Sequence, residues 1–131
     1  MIKDIIIGKE GYLYFVGPDS CIVEVKGQID VKRFERIYPG SKQVSQDMGY
    51  FKYLNENGDE ITAHVSSKEN VMSAGQIWFS EPNKKAAIVA LIEYNSNKVE
   101  RYQRYIQRCL VTNNVLIKEL ENFLDEKREE V

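Results

Sequence analysis

From Glu81 to the C-terminal end, apolar or small residues return alternately four and three positions apart: Ile88, Ile92, Asn95, Val99, Tyr102, Ile106, Cys109, Asn113, Leu116, Leu120 and Phe123. This is the heptad rhythm of a helix seam that faces another helix. A continuous helix from Asn83 to about Arg128 would be roughly 65 to 70 Å long at 1.5 Å per residue. A compact domain of this size has a radius of gyration of about 14 Å. The helix must therefore fold back or reach a second subunit. Ser80 or Asn83 is the expected cap, with Glu81 near the positive end and Pro82 in the first turn, where a missing donor costs little.

The first eighty residues follow a different rhythm. Glycines at 8, 11, 17, 27, 40, 49, 58 and 75 punctuate short β-branched and aromatic runs, the pattern of an antiparallel meander. The expected strands are Asp4 to Ile7, Tyr12 to Val16, Cys21 to Lys26, Tyr50 to Leu54, Glu60 to Val65 and Gln76 to Phe79. Asn57-Gly58 predicts a hairpin between the fourth and fifth. Ile61, Ala63 and Val65 alternate with Thr62 and His64, and Cys21, Val23 and Val25 with Ile22, Glu24 and Lys26. Each strand thus has an apolar face that something must cover. Asp30 is expected to cap a short helical turn carrying Val31, Phe34 and Ile37, ended by Pro39-Gly40.

Within the long helix, Val99, Ile106, Asn113 and Leu120 take the a positions and Tyr102, Cys109, Leu116 and Phe123 the d positions. An asparagine at a is a device that fixes register and partner number. Two readings of Thr112-Asn113-Asn114 stand side by side. It is either a loop between antiparallel helices, Asn83 to Val111 and Val115 to Arg128, or part of one unbroken helix. Leu110, Ile117 and Leu124 at e widen the stripe beyond a two-stranded seam. A homodimer or higher symmetric assembly through Val99 to Phe123 is expected, with a monomeric helical hairpin as the alternative.

The expected fold is α+β in a single domain over 1–131. An antiparallel meander of about five or six strands (1–80) precedes a long helix or helical hairpin (81–131), in an oligomeric protein. With 131 residues, 43 % of them hydrophobic, the chain can build a real core. A formal charge of −2 and a pI near 5.5 argue against duplex DNA as a partner, because that affinity comes from neutralised phosphates. The longest apolar run, Ala86 to Ile92, is far short of the roughly 20 residues that span a bilayer. No membrane partner and a cytoplasmic location are expected. Cys21 and Cys109 are expected to serve apolar packing and not disulfides.

No catalytic motif emerges. His64 has no cysteine or carboxylate at ligand spacing, so no metal or cofactor is expected. Gly8-Lys9-Glu10-Gly11 lacks both phosphate-loop spacings, and no carboxylate pair stands out. The expectation is a protein that is not an enzyme.

Opposite the seam, Asn97, Arg101, Arg104 and Arg108 step by four, three and four along one outer face, with Tyr94 a turn earlier and Tyr105 beside them. Such a row is either a solvated face or a phosphate clamp, since guanidinium groups one turn apart hold a pyrophosphate through bidentate contacts. Beyond Lys118 the helix turns acidic, so the basic stretch is local. Aromatics cluster in the strands, and alternation sends Trp78 to the face opposite Ile77 and Phe79, and Tyr50 opposite Phe51 and Tyr53. A ring near an arginine suits a purine-bearing ligand.

Short N-terminal strands, a last strand Ile77-Trp78-Phe79, the sequence Ser80-Glu81-Pro82-Asn83 and a long arginine-bearing C-terminal helix together resemble the phage-encoded Thoeris anti-defence sponge proteins. The resemblance is one of size and element order. It implies a non-catalytic oligomer that captures a cyclic ADP-ribose isomer made by a bacterial TIR-domain enzyme and holds it between subunits. Chemistry and spacing in this chain then nominate Arg101, Arg104 and Arg108 for the phosphates, Trp78 or Tyr105 for the base, and Asn97 beside them. The competing expectation is a protein–protein interaction module, or an inhibitor of a host defence enzyme, with no small ligand.

Overall fold

The computed structural model describes residues 2–40 and 42–129. Five strands precede one helix: β1 (Ile2–Val16), β2 (Ile22–Tyr38), β3 (Lys42–Leu54), β4 (Glu60–Val65), β5 (Ile77–Phe79) and α1 (Lys84–Glu129). The strands form one sheet in the order β4-β3-β2-β1-β5, antiparallel at every junction. The fold is α+β, as the two rhythms of the sequence require. The chain divides into two compact units between Tyr94 and Asn95.

The strands are longer and fewer than the glycine spacing suggests. Gly8 and Gly11 lie inside β1, Gly27 inside β2 and Gly49 inside β3. Around Gly8 the β1–β2 register shifts, and the bulge takes a positive φ of 62° there. Asp30 caps no helix. Its carboxylate accepts the N–H of Gly8, and residues 31–37 continue β2 against β3. Gly11 and Gly27 are cross-strand partners, and the Phe51 ring lies over both. A Cβ on Gly11 would stand 3.3 Å from Phe51 Cε2, and one on Gly27 would stand 2.7 Å from Phe51 Cε1 and collide with the Lys52 carbonyl. These glycines let a large ring and a neighbouring backbone close in on a bent sheet.

One face of the sheet buries Leu13, Ile29, Val31, Phe51, Ala63, Val65 and Trp78. No second layer is needed, because the two edges are tied together. After β4 the chain returns alongside β5: the Trp78 indole N–H donates to the Ser66 carbonyl at 2.7 Å, the Asn70 N–H donates to the Trp78 carbonyl at 2.8 Å, and the Ser80 N–H donates to the Glu69 carboxylate at 2.8 Å. The sheet curls to meet these bonds and encloses its own core. Hydrogen bonding by Ser80 holds the Glu69 carboxyl below its ordinary range.

The opposite face receives the start of α1. Tyr14, Ile77, Phe79 and Ala87 are buried there, with Tyr12, Ile22, Met72, Ala86 and Ala90 packed around them. Asn83 is the cap: its side-chain oxygen accepts the Ala86 N–H at 3.3 Å and its carbonyl the Ala87 N–H at 3.1 Å. The Asn83 N–H donates to the Tyr14 hydroxyl at 2.9 Å, anchoring the helix start to β1. Pro82 therefore stands just before the cap and outside the first turn.

α1 runs 46 residues without a break, about 69 Å at 1.5 Å per residue. Thr112-Asn113-Asn114 is helical, which excludes the hairpin reading. No helix among the described residues is long and apolar enough to cross a membrane.

Candidate functional site

The residues nominated for ligand binding fall into two environments. Asn97, Arg101, Arg104, Tyr105 and Arg108 all lie on α1 with exposed side chains. About three turns of regular helix align Asn97, Arg101, Arg104 and Arg108, with Tyr105 beside them, because residues three and four apart share a face. Glu100, Gln103, Arg104, Gln107 and Arg108 line a shallow, open groove along that face. Its floor is the helix itself, and its polar groups come in pairs one turn apart.

Within the groove, Arg104 Nη2 donates to Glu100 Oε1 at 2.5 Å. The two side chains are 69 % and 58 % exposed, so solvent screens the pair and its contribution to stability is small. The geometry matters more than the energy. Glu100 orients one guanidinium, while an anion competing for it has to displace a carboxylate. Tyr105 is 63 % exposed and offers a ring face to solvent.

Trp78 is elsewhere. Alternation does send it to the face opposite Ile77 and Phe79, but that face is the enclosed core and the ring is 2 % exposed. Its polar edge is already used by Ser66. With no free face to stack on a base, Trp78 is a structural residue and leaves the ligand set. Alternation places it on the correct side of the strand, but nothing local signals that the sheet closes over it.

The cysteines also differ from expectation. Cys21 lies in the turn before β2 and Cys109 on α1, and both are exposed thiols. Neither contributes to a core within one copy of the chain.

A second concavity lies in the sheet unit and was not foreseen. Gln46, Asp47, Met48, His64, Val65, Ser66 and Met72 are among the residues around a cleft of about 360 Å³. Arg33 pairs with Asp47 at 2.9 Å and holds its carboxyl below the usual range, while Asp47 raises Arg33 in turn. Tyr50 covers the outer side of β3: its ring meets His64 edge-on at 4.9 Å, and Lys32 Nζ lies 5.7 Å from its centroid. His64 is exposed. Among the described residues no group of three or more His, Cys, Asp and Glu is arranged to hold a metal ion.

No protein family, no curated protein and no solved structure matches the chain.

The largest feature is the helix seam. Val99, Tyr102, Ile106, Leu116, Leu120 and Phe123 each expose more than half of their surface, and Leu110, Ile117 and Leu124 beside them about half. Soluble chains rarely leave a contiguous apolar stripe of this extent uncovered.

Proposed function

We propose that this chain is a non-catalytic binding protein that assembles with itself through α1 and sequesters a small cyclic nucleotide of the cyclic ADP-ribose isomer type. The observation that carries the reading is the exposed heptad seam from Val99 to Phe123, which a second copy would cover. The arginine groove supplies the chemistry. Arg104 and Arg108 stand one turn apart, a spacing that suits the two phosphates of a pyrophosphate. Tyr105 offers the base a ring, and Arg101 and Asn97 extend the polar row. Capture would be stoichiometric, with release of the unaltered nucleotide on denaturation. The resemblance in size and element order to the Thoeris anti-defence sponges supports this ligand class and a phage or prophage setting in the host cytoplasm.

One observation favours a second reading, a protein–protein interaction module without a small ligand. Arg104 is already engaged by Glu100, and the apolar seam is far larger than the polar groove. One experiment separates the two. The protein is incubated with the product of a TIR-domain enzyme, freed of unbound nucleotide and heated. Recovery of intact nucleotide, with a raised melting temperature beforehand, supports sequestration. Recovery of nothing with an unchanged melting temperature leaves the interaction module. Altered nucleotide would mean an enzyme. Under sequestration, Arg104→Ala with Arg108→Ala abolishes uptake and leaves the oligomer mass unchanged.

A further inference from the structure

We infer that α1 pairs with a second copy of itself in the antiparallel direction, in the register that sets Val99 of one copy opposite Phe123 of the other. This rests on the assembly reading above and adds a direction and a register to it.

Charge decides the direction. Between Glu93 and Arg108 the helix carries four cations and two carboxylates, and between Asn114 and Glu129 three cations and five carboxylates. Parallel copies would set the basic half beside the basic half and the acidic beside the acidic. Antiparallel copies set each half against its opposite. At the flanking g positions this brings Lys98 of one copy to Glu126 of the other, twice by symmetry.

The heptad and its polar positions then set the register. With a facing d, Ile106 falls opposite Leu116, Leu120 opposite Tyr102, and Asn113 opposite Cys109, so the polar or small seam positions of the two copies meet in the two central layers and the other layers from Val99 to Phe123 hold large side chains. A slip of one heptad in either direction would set Asn113 against a large seam residue, Tyr102 one way and Leu116 the other. Nine large side chains about half exposed offer several hundred Å², the scale of one partner's share of a specific interface, about 800 Å².

The test uses the full chain with Cys21→Ser and Cys109→Ser, a nitroxide attached at Asp125→Cys, and dipolar spectroscopy on a sample whose mass is first measured by light scattering. The antiparallel register separates the two labels by 28 residues of rise, about 42 Å. A separation below about 25 Å, as parallel helices would give, overturns the inference while leaving assembly standing. A monomeric mass at micromolar concentration, reproduced with the unsubstituted chain, removes the assembly reading as well. Independently, Lys98→Glu in the unsubstituted chain should weaken assembly about fivefold, and adding Glu126→Lys should restore it. Failure of the double change to recover assembly counts against the register.

Discussion

The two units of this chain keep their apolar side chains in opposite ways. In the sheet unit, Leu13, Tyr14, Ile29 and Phe51 are fully enclosed, and the sheet provides most of the enclosure itself by curling until the 66–70 segment bonds to the far edge. Among the described residues from Asn95 onward no side chain is buried, although Ile106, Leu110, Leu116, Ile117 and Leu120 are as apolar as anything in the core. Hydrophobicity alone does not make an interior. The first unit has strands whose glycines allow close approach. The second is a single rod, which has no surface of its own to fold against, so its apolar stripe is an offer to another molecule.

The contrast can be broken most severely in the sheet. Phe51→Ala removes the ring that lies over Gly11 and Gly27 and should cost about 3–5 kcal/mol, read as a lowered urea midpoint by tryptophan fluorescence. The same operation on the helix should behave differently. Leu116→Ala with Leu120→Ala should weaken assembly by about a hundredfold, on the order of 3 kcal/mol, in sedimentation or light scattering, with the urea midpoint of the sheet unit unmoved. A fall in that midpoint would mean that the units are not independent.

Alkali should act on the sheet unit through Tyr14. Burial above all, with hydrogen bonding to Glu24, raises its phenol to about 12, against a partial lowering by the Asn83 N–H. Folding therefore favours the protonated phenol. That stability is complete below the unfolded value near 10 and is lost as the pH climbs toward 12. Thermal melts between these limits should show the loss, and Tyr14→Phe should remove that part of the pH dependence. The smallest effect belongs to the junction: Asn83→Ala should cost about 1 kcal/mol by leaving the Ala86 N–H unpaired, frayed first at the helix start by hydrogen exchange.

Periodic signals were legible in the sequence where they stood alone. The strand Glu60–Val65 has the bounds its alternation predicts, and the start of α1 falls at the Asn83 cap. Val31, Phe34 and Ile37 were misleading because a spacing of three and three also fits a strand whose outer face is open. In the structure that stretch is β2, paired residue by residue with β3. Glycine carried two meanings at once. Gly58 does turn the chain, with a φ of 80° in the β3–β4 connection, whereas Gly11 and Gly27 are packing positions whose role depends on Phe51, distant in sequence. The seven-residue rhythm through Asn113 left loop and unbroken helix side by side, and the structure is helical there. As for the nominated site, the arginine row was readable because helical spacing is local. The burial of Trp78 was not, since it follows from a closure between Ser66 and β5 that no short window contains.

Trp78, the chain's single tryptophan, also makes the protein easy to interrogate. Its emission senses the state of the curled sheet and is silent about the rod, while circular dichroism at 222 nm is dominated by the 46-residue helix. Two optical channels thus come built into one unmodified chain, and diluting the sample should pull their melting curves apart.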